Sequence, residues 1–253
     1  MIAAKILVAC HKPYWVPEDP LYIPIHAGKA LASQSLPFLG DNEGDSISDL
    51  NPNFCELTAL YWGWKNLDCP YLGLCHYRRY FTVSLFKSKK SRILTSSQLE
   101  ELLKISPVIL PKKRHYWIET NYSHYIHAHH KEDLDLTRSI LLDRWPDYVD
   151  SFDEIMSRTS GHRFNMFIMR RDLLNAYCDW LFDVLMELHR QLDISTYSLY
   201  DARVFGFVGE RLLDVWLHKN KISFLDIPYV YLEKQNWLVK IFNFAKRKFI
   251  HKR

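Results

Sequence analysis

Arg78 and Arg79 stand side by side at the end of an apolar run, in YLGLCHYRRYF, residues 71–81. Tyr71 to Leu74 reads as a buried strand, and His76, Tyr77, the two arginines and Tyr80 follow it. Ligands of α/β proteins sit beyond the carboxyl ends of strands. A guanidinium carries a fixed charge and several donors, which suits phosphate oxygens. Two readings of the pair stand: it holds an anion at a strand end, or it is salt-bridged at a sheet edge.

Other chemistries leave weaker traces. HYIHAHH places His124, His127 and His130 at helical spacing, with His129 beside them. HExxH is absent and no Cys lies near, so these histidines predict a polar helix face or a site wall rather than zinc ligands. Many enzymes that use nucleotide-sugars hold the diphosphate through a cation on Asp-x-Asp. Asp133 and Asp135 match that triplet literally, but in a helix-like segment, and the triplet is common by chance. GxGxxG, GxxxxGK[ST] and GxSxG are all missing, which disfavours dinucleotide-binding, P-loop and hydrolase chemistry.

The 253 residues suffice for one large α/β domain with a tail. The chain is 48% hydrophobic and 15% aromatic, with 25% charged residues, so it can build a full core. A net charge of +4 and a pI near 8.7 are too mild to imply nucleic acid as a partner. Cys10, Cys55, Cys69, Cys75 and Cys178 form no CxxC and mostly sit in apolar runs, as reduced thiols of a cytosolic protein do. MIAAKILVAC reads as a first strand rather than a signal peptide. No apolar run reaches the ~18 residues of a membrane span.

Around the arginine pair, strand and helix signals alternate. Strands are predicted at 5–11, 71–76, 107–111, 162–171 and near 222–231, and helices at 51–67, 95–105, 122–145, 147–158, 172–192 and 200–220. Residues 12–53 read as one long Pro- and Gly-bearing loop, a length that usually marks function. The expected fold is α/β, a mostly parallel central sheet flanked by helices. Residues 1–232 form the domain and 233–253 a basic amphipathic C-terminal helix.

The stretches ILVACHKPY, LGDNEGDSIS, NPNFCELTALYWGWKN, YLGLCHYRRYF, FNMFIMRRDLLNAYCDWLF and RVFGFVGERLLDVWL run through nearly all of residues 5–219. In this order they resemble a bacterial family of capsular and exopolysaccharide glycosyltransferases, long catalogued as a domain of unknown function. The resemblance implies a GT-A-like fold and transfer of a sugar from a UDP-sugar. Some members are linked to galactofuranose. It further implies that His11 and Lys12, after the first strand, lie beside uracil or diphosphate. Asp41, Asp45 and Ser46 would bind nucleotide or close over the donor. His76, Tyr77, Arg78 and Arg79 would occupy the Asp-x-Asp position and hold the diphosphate, so that no metal cofactor is required.

Glu210, in GFVGERL near a late helix start, is the expected catalytic base, with Asp201 as second choice. An ion pair of Glu210 with Arg203 or Arg211 is the plainer alternative. Asn165 and His124 are candidates for acceptor or sugar contact, Asn165 being equally readable as a satisfied core amide. Trp64 is equally readable as site or core. In the tail, Trp237, Leu238, Ile241 and Phe242 alternate with Lys240, Lys246 and Arg247, a pattern that suits an anionic membrane surface. The expected partners are a UDP-sugar, a lipid-linked oligosaccharide acceptor and, through residues 237–253, the inner face of the cell membrane. The rival expectation is a non-catalytic carbohydrate-binding or scaffold subunit of a polysaccharide assembly complex.

Overall fold

A computed structural model of the chain describes residues 4–84, 86 and 88–233. In chain order the elements are β1 (Ala4–Cys10), β2 (Tyr22–His26), β3 (Leu39–Gly40), α1 (Asn51–Phe54), α2 (Leu57–Asn66), β4 (Tyr71–His76), β5 (Arg79–Phe81) and α3 (Ser96–Leu103). Next come β6 (Val108–Pro111), β7 (Arg114–His115), α4 (Asn121–Ile126), α5 (Lys131–Arg144), α6 (Val149–Ser157), β8 (Ser160–Gly161) and β9 (Phe167–Arg170). The last are α7 (Arg171–Gln191), α8 (Val204–Lys219), β10 (Leu225–Ile227) and β11 (Tyr229–Tyr231). The tail expected as a helix, 237–253, lies outside the described residues.

The main sheet runs β10-β6-β9-β4-β1-β2-β3, with β5 and β11 joined at the end of β4. Parallel ladders join β1 to β2 and β4, β2 to β3, and β6 to β10. β9 is antiparallel to both β4 and β6. β1 shows why the centre is apolar throughout. Leu7 and Ala9 pack into the helical layer of α2, α7 and α8, while Ile6, Val8 and Cys10 pack into the opposite layer. A strand covered on both faces needs apolar residues at every position.

Several expected boundaries move, each for a local reason. Residues 12–53 contain β2 and β3 rather than one loop. Pro24 hid β2, yet β3 pairs only with Ile25 and His26, so Pro24 lies beyond that ladder. The helix expected over 51–67 divides at Cys55, whose φ of 53° and ψ of −132° no helix accommodates. The one expected over 122–145 breaks at 127–130, where His129 stacks on Phe207 and His130 on Tyr197. Of 162–171 only Phe167–Arg170 is strand, and Phe164 and Asn165 turn to positive φ. The final strand divides at Pro228, giving β10 and β11 different partners.

Candidate functional site

A cleft opens at the carboxyl ends of β1 and β4. Their register sets Ala9 against His76, so His11 and His76 emerge side by side with rings 5.6 Å apart. β4 then turns directly into β5, His76 pairing with Arg79, and this tight reversal aims Arg78 and Arg79 at the cleft. The kink at Cys55 brings Glu56 to the floor. From α8 and its entering turn, Arg203, Gly206, Phe207 and Glu210 recur at helical spacing and form the far wall.

The cleft has two lobes. One, of about 350 Å³, is lined by His11, Ala27, Asn51 and Pro52. The other, of about 260 Å³, is lined by Arg114, Tyr116, His124, Arg163, Glu210 and Arg211. Cys55, Glu56, His76, Arg78 and Arg203 border both lobes and form the junction. Arg78, Arg79, Arg114, Arg163, Arg203 and Arg211 face the carboxylates of Glu56 and Glu210.

This crowding sets the protonation states. Burial, then Arg79 and Arg78, push the His76 imidazolium down to about 2. Burial and Arg211 push His124 down to about 3, and burial with Arg78 lowers His11. These histidines are therefore neutral hydrogen-bonding walls. Burial, then the Glu210 charge, hold the Glu56 carboxyl above the usual carboxylate range. Asn165 Nδ2 donates to Glu56 Oε1 at 2.9 Å and to the Gly206 carbonyl at 3.1 Å. Glu210 accepts from the Phe164 N–H at 3.0 Å and stands 3.8 Å from Arg211.

Strain and unmet polarity concentrate here. Cys55, Phe164 and Asn165 all have positive φ and all border or support the cleft. Arg78 Nε, His124 Nδ1, Asn165 Oδ1 and Arg211 Nε are buried without a hydrogen-bond partner among the described residues. The two guanidinium Nε–H groups are donors and the Asn165 Oδ1 is an acceptor, and buried polar atoms left unpaired in this way call for a ligand or bound water. No group of three or more His, Cys, Asp or Glu converges as a metal site among the described residues.

The expected site residues are not all brought together. His11, His76, Arg78, Arg79, His124 and Glu210 line the cleft. Lys12 stands outside its lining, paired with Glu233 at 3.3 Å, and Glu233 also reaches Arg78 at 3.5 Å. Tyr77 is fully buried, its hydroxyl 3.3 Å from His11 Nε2. Asp41 is fully buried too, accepting from the N–H groups of Gly28 and Lys29 and the hydroxyls of Ser48 and Thr58. That knot closes the β3 loop and leaves no oxygen for a nucleotide. Ser46 donates to the Asp41 carbonyl, and Asp45 accepts from Tyr61, both away from the cleft.

Trp64 is core, stacked on Phe182 with centroids 5.8 Å apart. Asn165 is 2% exposed and acts on Glu56 rather than on the open cleft. Asp201 pairs with His129 and Ser198 behind the wall. Asp133 accepts from Tyr125 and Tyr197, and Asp135 pairs with Lys131, so neither reaches the site. Sequence reasoning missed Arg114 and Arg163, placed Glu56 on a helix without a role, and read Arg203 only as an ion-pair partner of Glu210, a place the structure gives to Arg211 at 3.8 Å.

No curated protein matched the chain. A solved structure, described as "WbbM bifunctional glycosytransferase apo structure", superposes with a TM-score of 0.86 at 27% identity. The superposition covers 92% of this chain and 46% of that one, so this chain spans about half its length. The central sheet and its flanking helices are thus a glycosyltransferase fold. The family described as "Domain of unknown function (DUF4422)" matches residues 5–221, and the chain belongs to it.

Proposed function

We propose that the protein transfers a sugar from a UDP-sugar, galactofuranose being the favoured donor sugar, to a hydroxyl of a lipid-linked surface polysaccharide. The observation that carries this reading is a single cleft that joins six arginines to a carboxylate of raised pKa at the strand ends. The similarity to a glycosyltransferase supports it. Uridine occupies the lobe of His11 and His76, the diphosphate lies across Arg78 and Arg203 at the junction, and the sugars occupy the second lobe.

Glu56, rather than Glu210, is the base. Glu210 is tied to the Phe164 N–H and to Arg211, whereas Glu56 borders both lobes at the junction with its carboxyl held above the usual carboxylate range by burial and the Glu210 charge. Glu56 takes the proton of the acceptor hydroxyl as its oxygen attacks the anomeric carbon. The bond from that carbon to the β-phosphate oxygen breaks, its electron pair leaves with UDP, and the configuration inverts. The guanidinium groups stabilise the departing diphosphate, the task a divalent cation performs at an Asp-x-Asp site. Work on a lipid-linked acceptor places the protein at the inner face of the membrane, with the basic tail as its contact. No described helix is long and apolar enough to cross a membrane.

UDP release from a panel of UDP-sugars, with acceptor present and with either EDTA or Mn²⁺, tests the reading. Turnover of one donor in EDTA is expected. A strict Mn²⁺ requirement would remove the metal-free step and keep the transfer. No turnover and no rise in melting temperature with UDP would leave a carbohydrate-binding scaffold.

A further inference from the structure

The second lobe holds more positive charge than one diphosphate at the junction accounts for. Arg163 is 6% exposed, and its guanidinium meets only neutral acceptors: the Tyr116 hydroxyl, the His162 carbonyl and Asn121 Oδ1. Arg211 is 4% exposed, donates to the Phe207 carbonyl at 2.7 Å, and its Nε has no partner among the described residues. Its one carboxylate neighbour, Glu210, is 3.8 Å away and also holds the Phe164 N–H. Burial and the nearby Arg163 lower Arg211 to about 10. Arg114 adds a further charge at the exposed rim. Arg163 is thus a buried cation with neutral partners among the described residues, and Arg211 shares one loosely placed carboxylate with a backbone N–H; an anion bound between the two guanidinium groups offsets the cost of burying them.

We infer that the second lobe recognises a sugar carrying its own negative charge, a carboxylate or a phosphate, gripped by Arg163 and Arg211 from within and by Arg114 from the rim. The inference rests on the transfer reading above, with UDP in the first lobe. The shared chemistry is an anionic sugar: with galactofuranose, which is neutral, as the transferred sugar the charge belongs to the acceptor, and an anionic transferred sugar would replace galactofuranose while keeping the transfer. A neutral sugar would leave the Arg211 Nε–H donor and the two buried guanidinium charges with hydroxyls alone.

Calorimetry with UDP comes first, because failure of the protein to bind UDP overturns the transfer reading and this inference together. On the UDP-loaded protein, ligand-observed NMR then compares glucuronate and glucose 1-phosphate with methyl glucoside. The expected result is about tenfold tighter binding of an anionic probe, lost in Arg114→Ala, as charge-assisted hydrogen bonds predict. In a parallel arm, UDP-glucuronate is compared with UDP-glucose. A tenfold preference there, by the same arithmetic, assigns the charge to the transferred sugar, and a preference among the free sugars alone assigns it to the acceptor. UDP binding without an anionic preference in either arm overturns the inference and spares the transfer reading. So does an Arg114→Ala protein that loses UDP affinity as severely as Arg78→Ala, since the lobe would then belong to the diphosphate.

Discussion

Three influences act on the Glu56 carboxyl: burial and the Glu210 charge raise its pKa, and the amide of Asn165 lowers it; the proposed role of Glu56 as base makes that balance testable. A base must be ionised to accept a proton, so kcat/KM falls as pH drops through the Glu56 pKa. Because that pKa is raised, the acid limb lies at higher pH than for an ordinary glutamate. Glu56→Gln should lower kcat by about 10²- to 10⁴-fold with UDP affinity nearly kept, the span typical of a lost general base. Steady-state kinetics beside UDP calorimetry checks both halves. Asn165→Ala removes a bond that favours the ionised form, so its acid limb should move to still higher pH. A fall in kcat with an unmoved limb would make Asn165 merely structural. In the sequence, Arg78 and Arg79 stood out because both follow an apolar strand. Glu56 did not, because its role comes from the turn at Cys55, and no residue pattern announces a non-glycine at φ 53°. Asp41 misled for the opposite reason, since a loop rich in acids and glycine reads alike whether it grips a ligand or its own backbone.

Strand β4 leads into the cleft and also approaches the backbone of β9 closely at Gly73. A Cβ at Gly73 would lie 2.8 Å from the Phe167 carbonyl of β9, an atom that cannot rotate away. Gly73→Ala should therefore cost about 1–3 kcal/mol, the usual penalty of overpacking, read as a lower urea midpoint with unchanged slope. Gly209 gives α8 a similar closeness to Leu57 of α2, but there a side-chain methyl at 2.8 Å can yield. Periodicity made β1, β4, α7 and α8 readable, because each is long and its apolar spacing is unmixed. It failed for β2, for the α4–α5 break and for β10–β11, where a proline, ring stacking or a change of partner strand decides the outcome.

Across the whole molecule, His162 joins three distant parts of the chain. Its ring nitrogens meet Asp214 of α8 and Asp226 of β10, and its own N–H also reaches Asp214. Burial opposes the charged ring, but the two carboxylates win and raise its pKa. Burial likewise opposes the Asp214 charge, and His162 overcomes it, so that carboxyl is lowered. The His162 contribution to stability is thus complete below its unfolded pKa and disappears as pH rises through the folded one. The Asp214 contribution is present above its unfolded pKa and disappears as pH falls through the folded one. The bridge is read by difference, because His11, His76 and His124, lowered by burial, contribute stability that is lost as pH falls and so pull the total the other way. The melting-temperature gap between the parent protein and His162→Gln should be widest in mildly acidic buffer and narrow as pH rises. A gap that does not change with pH would show the bridge to be neutral in energy.

The place of β9 also governs how the chain can be made. β6 reaches the rest of the sheet only through β9, which pairs with β4 on its other side. A chain emerging from the ribosome can assemble β1, β2, β3 and β4, but the outer edge of β4 stays bare until residues 167–170 arrive. Through the synthesis of about a third of its length the nascent protein exposes that apolar edge, a template for pairing with other chains. Fragments ending before β9 should accordingly aggregate, and production of the protein should depend on holdase chaperones more than its finished surface would suggest.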